Sequence, residues 1–151
     1  MKIDFLAFRP PRIAQLFVVI AFLLHWFTPL QTVQVFHSEK SGILLGIIGF
    51  SIMMSAWWLF KKANTGICPT TAASYLVING VFRFSRNPMY FGMVSMLCAF
   101  AFYFGSVPFY LATVAFFCVI NFVFCPYEES KLEAEIGQQY LTYKSKVRRW
   151  L

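Results

Sequence analysis

Four stretches of this chain, 13–30, 42–60, 89–104 and 107–125, consist almost wholly of apolar residues. Each approaches the roughly 20 residues that an α-helix needs to cross the hydrocarbon core of a bilayer. A soluble fold of 151 residues has too little interior to hide four such runs, because a small domain leaves much of its surface in water. Composition agrees: the chain is 59% hydrophobic and 13% charged, with a mean hydropathy of +0.64, where a soluble domain carries about 25% charge. The expected fold class is an all-α integral membrane protein, with about four transmembrane helices plus a C-terminal amphipathic cytoplasmic helix. It makes a single membrane domain over 1–151.

The runs are separated in informative ways. Only Gly105-Ser106 lies between the third and fourth, and Pro108 follows just inside the next helix, so these two form a tight antiparallel hairpin. The first run has basic residues before it but no small-residue cleavage site, and more spans follow, so it reads as a retained helix. Gly42, Gly46 and Gly49 give the second span a smooth stripe that suits packing within one chain or between chains.

Charge sets the orientation. Twelve of the thirteen Lys and Arg residues fall before the first span, between the second and third, or after the fourth; Lys40 is the exception. Basic residues collect on the cytoplasmic side, so both termini are expected there, with the cytoplasmic segments 61–87 and 126–151. The formal charge of +7 is then accounted for by anionic membrane lipids, without nucleic acid. Cys68, Cys98, Cys118 and Cys125 have no metal-like spacing, and His25 and His37 have no partner at helical spacing, so no metal is expected. In the tail, Leu132, Ile136, Tyr140, Tyr143 and Val147 recur at steps of four and three, the apolar stripe of one amphipathic helix.

The spans carry almost no charge, so chemistry belongs at the cytoplasmic boundary. Two clusters stand there. Arg83 and Arg86 precede Asn87-Pro88, where Asn is a natural cap and Pro a natural first helical residue. A helix start beside two guanidiniums suits an anionic group, although the same residues also make an ordinary basic flank with a capped helix. Glu128 and Glu129 follow the fourth span, where simple favourable placement on a helix dipole is the plainer reading. The hairpin brings the two clusters to one membrane level, and the pair is able to grip a zwitterion.

The stretch from about Thr65 to Leu151 resembles the isoprenylcysteine carboxyl methyltransferase and phospholipid methyltransferase superfamily, particularly its short bacterial members. The resemblance rests on L-V-I-N-G-V-F-R-F-S-R-N-P-M-Y-F-G and on E-E-S-K-L-E-A-E-I-G-Q-Q-Y-L-T-Y-K-S-K-V-R-R-W-L, in that order and one hairpin apart. It implies an S-adenosyl-L-methionine-dependent methyltransferase of the bacterial inner membrane, acting on a lipid-like or prenylated small acceptor through a carboxylate or amine. It places the cofactor against Ser74, Tyr75, Leu76 and Val77 leading to Gly80, against Phe82, and at Glu128 and Glu129. The family's Arg-His-Pro-x-Tyr signature falls on Arg86, Asn87, Pro88 and Tyr90, with Met89 between. Arg86, Asn87 and Tyr90 are the expected catalytic corner. Asn87 replaces the signature His and cannot become cationic; Phe82 replaces a Tyr. Phe124 stands where the eukaryotic carboxyl methyltransferases carry a substrate-binding arginine, which weighs against a prenylcysteine carboxylate. The alternatives are an NADPH-binding membrane reductase of a related helical scaffold and a non-enzymatic small membrane protein.

Overall fold

The computed structural model describes residues 10–27, 37–63 and 76–151. Its elements are α1 (Pro10–Phe27), α2 (Glu39–Lys62), a 3₁₀ turn (Gly80–Arg83), α3 (Pro88–Phe104), α4 (Val107–Val119), a π turn (Ile120–Phe124), α5 (Cys125–Ile136) and α6 (Gln138–Lys146). Three helices are long and apolar enough to cross a membrane, and α3, with 17 residues, is a shorter apolar helix between them. The chain is an all-α integral membrane protein, as the four runs require.

Local chemistry sets the helix ends. Ser38 caps α2 by accepting from the Ser41 N–H at 3.3 Å, Glu39 occupies its first turn, and Lys61 and Lys62 its last. Charges so placed oppose the helix dipole. Pro88 and Pro108 open α3 and α4, and Gly105 closes α3 at φ +59, a left-handed conformation that tolerates no side chain here because His37 fills the space. The backbone bond from Ser38 N–H to Phe102 O (3.0 Å) and the His25–Ser106 contact (2.9 Å) tie α1, α2 and the hairpin at one end. Among the described residues every Lys and Arg except Lys40 lies at the other end.

Helix α3 is the centre. Its apolar face packs with α4 around Leu97, Ala101, Phe109, Phe116, Ile120 and Phe124, all buried. Its opposite side takes α2 at backbone contact. A Cβ added at Gly49 would lie 2.8 Å from Ser95 Cβ and 2.9 Å from Gly92 O, and one at Gly42 would lie 2.8 Å from Ala99 O. The glycine stripe is therefore used inside the chain. Gly49→Leu is expected to separate α2 from α3, costing at least the 1–3 kcal/mol typical of overpacking and lowering Tm in detergent by several degrees. An unchanged Tm would show that these helices do not meet there.

Two features depart from expectation. The fourth run does not end at 125: α4, the π turn and α5 form one continuous rod from Val107 to Ile136. At about 1.5 Å per residue, its last ten or so residues extend beyond a hydrocarbon core of roughly 30 Å. The expected single amphipathic helix is broken at Gly137 (φ +65), so α5 and α6 are separate pieces. The stripe survives the break because Ile136 and Tyr140 remain four apart. Tyr140 and Tyr143 are buried, so α6 caps the bundle.

Candidate functional site

The site is built where the Gly80–Pro88 segment crosses the α4–α5 rod. Gly80, at φ +59, starts the 3₁₀ turn, and a Cβ on it would meet Leu59 at 2.8 Å. Phe82 is buried with Ala56 and Val77 and meets Phe60 edge-on at 5.1 Å. Tyr143 of α6 donates to the Phe82 carbonyl at 2.6 Å, which holds the turn down. Beyond it Phe84 and Arg83 point outward and Arg86 points in, its side chain only 10% exposed.

The two glutamates have opposite fates. Glu129 is 6% exposed and accepts from Arg149 twice (Nε to Oε1 2.7 Å, Nη2 to Oε2 3.0 Å), with Arg86 Nη1 at 3.2 Å and Lys144 Nζ at 3.6 Å. Burial alone would raise its carboxyl, but hydrogen bonding from Arg149 and the charges of Arg86, Arg149 and Lys144 hold it below the usual range. Glu128 has no such company. Tyr90 donates to its Oε1, and burial pushes the carboxyl up to about 7, against the opposing pull of Tyr90 and Lys131 and with a further push from Glu129. A carboxyl at about 7 keeps its ability to ionise on demand when a cation arrives.

Arg86 also donates to the Tyr140 hydroxyl at 3.2 Å, yet its buried Nε–H has no partner among the described residues. An orphan donor of this kind costs roughly 1–3 kcal/mol until an acceptor reaches it. The corner thus presents one unsatisfied guanidinium edge and one uncompensated carboxyl, Tyr90 beside the latter. Arg86 is engaged by Glu129, which narrows the zwitterion grip expected from the sequence.

The other expected site residues fall as follows. Ser74 and Tyr75 lie outside the described residues. Val77, Phe82 and Met89 pack in an apolar cluster on α2, separate from the one containing Tyr90, and Pro88 is buried at the start of α3. Asn87 occupies the cap position without capping; its Nδ2 donates to the Arg149 carbonyl at 3.4 Å, which turns the amide toward the tail, and its backbone N–H donates to Ser85 Oγ at 3.1 Å. Arg83 stands apart from Arg86 and lines two cavities on either side of the 3₁₀ turn. One, of about 770 Å³, lies against Met54, Trp57 and Trp58 of α2; the other, of about 720 Å³, lies against Leu76, Ile136 and Tyr143.

Sequence reasoning missed Asn121, Arg149 and Trp150, and read Tyr140 as part of the apolar stripe of the tail rather than as a partner of Arg86. The signal for Asn121 was a lone amide in the fourth apolar run, costly in a membrane unless it has a partner. Its partners are the Trp150 indole N–H at 2.9 Å and Arg149 Nη1 at 3.4 Å.

A family profile described as phospholipid methyltransferase matches residues 38–139, from the cap of α2 to the start of α6. The chain belongs to this phospholipid methyltransferase family. It is also 38% identical over 63 residues to an uncharacterized protein of Haemophilus influenzae, spanning 42% of this chain and the full length of that protein. No solved structure matches it. A phospholipid methyltransferase family member is a membrane methyltransferase, and the matched segment contains Arg86, Asn87, Tyr90, Glu128 and Glu129. Arg149 and Trp150, which complete the corner, lie beyond it.

Proposed function

We propose that this protein transfers a methyl group from S-adenosyl-L-methionine to a lipid-like acceptor at the cytoplasmic face of the membrane. The observation that carries the proposal is that neighbouring carboxyls on α5 engage the signature segment at two points: Glu128 takes the Tyr90 hydroxyl, and Glu129 the Arg86 guanidinium, whose Nε–H has no partner among the described residues. Those groups fit this cofactor: its amino acid end needs an anionic partner for the ammonium and a donor for the carboxylate. When bound, it would supply a sulfonium methyl carbon to which an acceptor lone pair could bond as the carbon–sulfur bond breaks, its electron pair going to sulfur as a neutral thioether. Glu128, turned by Tyr90, holds the ammonium; Arg86, turned by Glu129 and Tyr140, holds the carboxylate. Neither needs to move a proton for the displacement itself, so alignment is the main contribution of the protein.

The cavity of about 720 Å³ beside Leu76 has room for a nucleoside. The cavity against Met54, Trp57 and Trp58 opens on the lipid side of α2, where Phe84 is 71% exposed, and suits an acceptor carrying an apolar tail. Ligand-induced thermal stabilisation in detergent tests the donor: S-adenosylhomocysteine is expected to raise Tm and NADPH to leave it unchanged. A response to NADPH instead would replace this reading with a reductase.

Orientation follows from the basic end of the bundle. Single cysteines introduced at Ser38 and Ser145, in a background whose native cysteines are removed, are expected to label from opposite faces of the membrane, with Ser145 cytoplasmic. Labelling of both from one side would overturn the topology.

A further inference from the structure

We propose that Arg149 and Trp150 are positioning residues: they fix Glu129 in the orientation from which it holds Arg86 toward the donor-binding corner. The inference deepens the methyl-donor reading of that corner and rests on it.

Pro126 sits at the origin of this arrangement. In the π turn the Cys125 N–H bonds to Ile120 O, one residue beyond the α-helical register. The next bond in that register would run from residue 126 to Asn121 O, and proline has no N–H to make it. A backbone carbonyl inside a membrane helix is left seeking a donor. Arg149 Nη1 supplies one to Asn121 O at 3.4 Å and lies equally close to Asn121 Oδ1, while the Trp150 indole donates to Oδ1 at 2.9 Å. The Trp150 ring packs on Phe117 at 5.1 Å. The proline thus creates the seat that the chain terminus occupies.

The same residues reach the start of α3 through their backbone. Arg86 N–H donates to Arg148 O at 2.9 Å, and Ser85 Oγ to Arg149 O at 3.0 Å. The terminus therefore bridges the signature segment and the α4–α5 rod. Between these anchors the Arg149 guanidinium takes both oxygens of Glu129, a two-point contact that stops the carboxylate from rotating. Arg86 receives a single contact to the oxygen so fixed. Without Arg149, Glu129 is free to turn its full face to Arg86 and draw that guanidinium away from the ligand. Arg149 itself touches no ligand.

The test uses full-length protein in detergent with Arg149→Met, Arg149→Lys and Trp150→Phe, read by titration with S-adenosylhomocysteine, by Tm, and by amide exchange at Arg86. Arg149→Met is expected to weaken affinity at least tenfold, Arg149→Lys to recover part of it, and Trp150→Phe to cost about two- to fivefold. The Arg86 amide should exchange faster in Arg149→Met and Trp150→Phe. A tail of purely structural value would lower Tm in Arg149→Met and leave affinity within twofold of wild type, which overturns the proposal. Should Arg149→Met fail to fold, Trp150→Phe with unchanged affinity and unchanged Arg86 exchange overturns it equally. If the wild type binds no S-adenosylhomocysteine, the donor reading fails; unchanged Arg86 exchange in the variants would then separately remove the bridge.

Discussion

Glu128→Gln is expected to weaken binding of S-adenosylhomocysteine by about ten- to a hundredfold at pH 8. A hydrogen bond to an ionised group contributes roughly 1.5–3 kcal/mol, and each 1.4 kcal/mol is about tenfold in affinity. Glutamine preserves the shape of the side chain and an acceptor for Tyr90, so the loss reports charge rather than packing. Glu129→Gln, by contrast, acts on Arg86 and Arg149 and should lower Tm as well as affinity, because it leaves two guanidiniums without their shared carboxylate. Titration calorimetry on the folded variants separates the two glutamates. Unchanged affinity in Glu128→Gln would remove Glu128 from the donor site.

The second large effect is on pH. Burial raises the Glu128 carboxyl to about 7 in the ligand-free protein, and an ammonium binds its ionised form. Affinity should therefore be highest above pH 7, up to the pH at which the ligand's own ammonium loses its proton, and fall below pH 7 toward the ten- to hundredfold loss expected of the neutral side chain. Binding near pH 6 should release close to one proton, seen as a dependence of the binding heat on buffer ionisation. Stability of the ligand-free protein runs the other way. A carboxyl raised in the folded state binds its proton more tightly folded than unfolded, so stability is lost as pH rises from the ordinary carboxylate range through 7. Glu128→Gln should flatten both profiles. Retention of the affinity profile in that variant would assign the titration elsewhere.

Much of the fold was legible because bilayer thickness converts length of apolar run directly into element. Pro88, Gly105 and Pro108 fixed helix ends for reasons local to the backbone. The meeting of Arg86, Tyr90, Glu128 and Glu129 was legible because a two-residue turn permits only one hairpin. Other features depend on information that spacing does not carry. The break at Gly137 preserves the four-residue step, so periodicity passes over it. The π turn adds one residue to a helix and leaves no mark in an apolar sequence. Arg149 looked like any headgroup-facing cation, since only the fold places it against Glu129 and Asn121. Asn87 read as a cap because its own segment favours one; the competing acceptor, Arg149 O, comes from 62 residues away.

The length of α3 has a consequence for how far an acceptor must travel. Gly49 and Met53 of α2 face Gly92 of α3. From Met53 α2 continues nine residues to Lys62, whereas from Gly92 α3 has only four left to Pro88. At about 1.5 Å per residue, the reaction corner is sunk some 7–8 Å below the end of its neighbour, roofed by the 3₁₀ turn and the folded-back terminus. In a bilayer whose headgroups meet Lys61 and Lys62 at the end of α2, that is the depth where lipid tails begin. Lifting an acyl chain into water costs about 0.8 kcal/mol for each methylene exposed, so an enzyme standing proud of the bilayer would have to extract its acceptor. On the proposed reading, the acceptor would be met here in the plane it already occupies, by sideways diffusion alone.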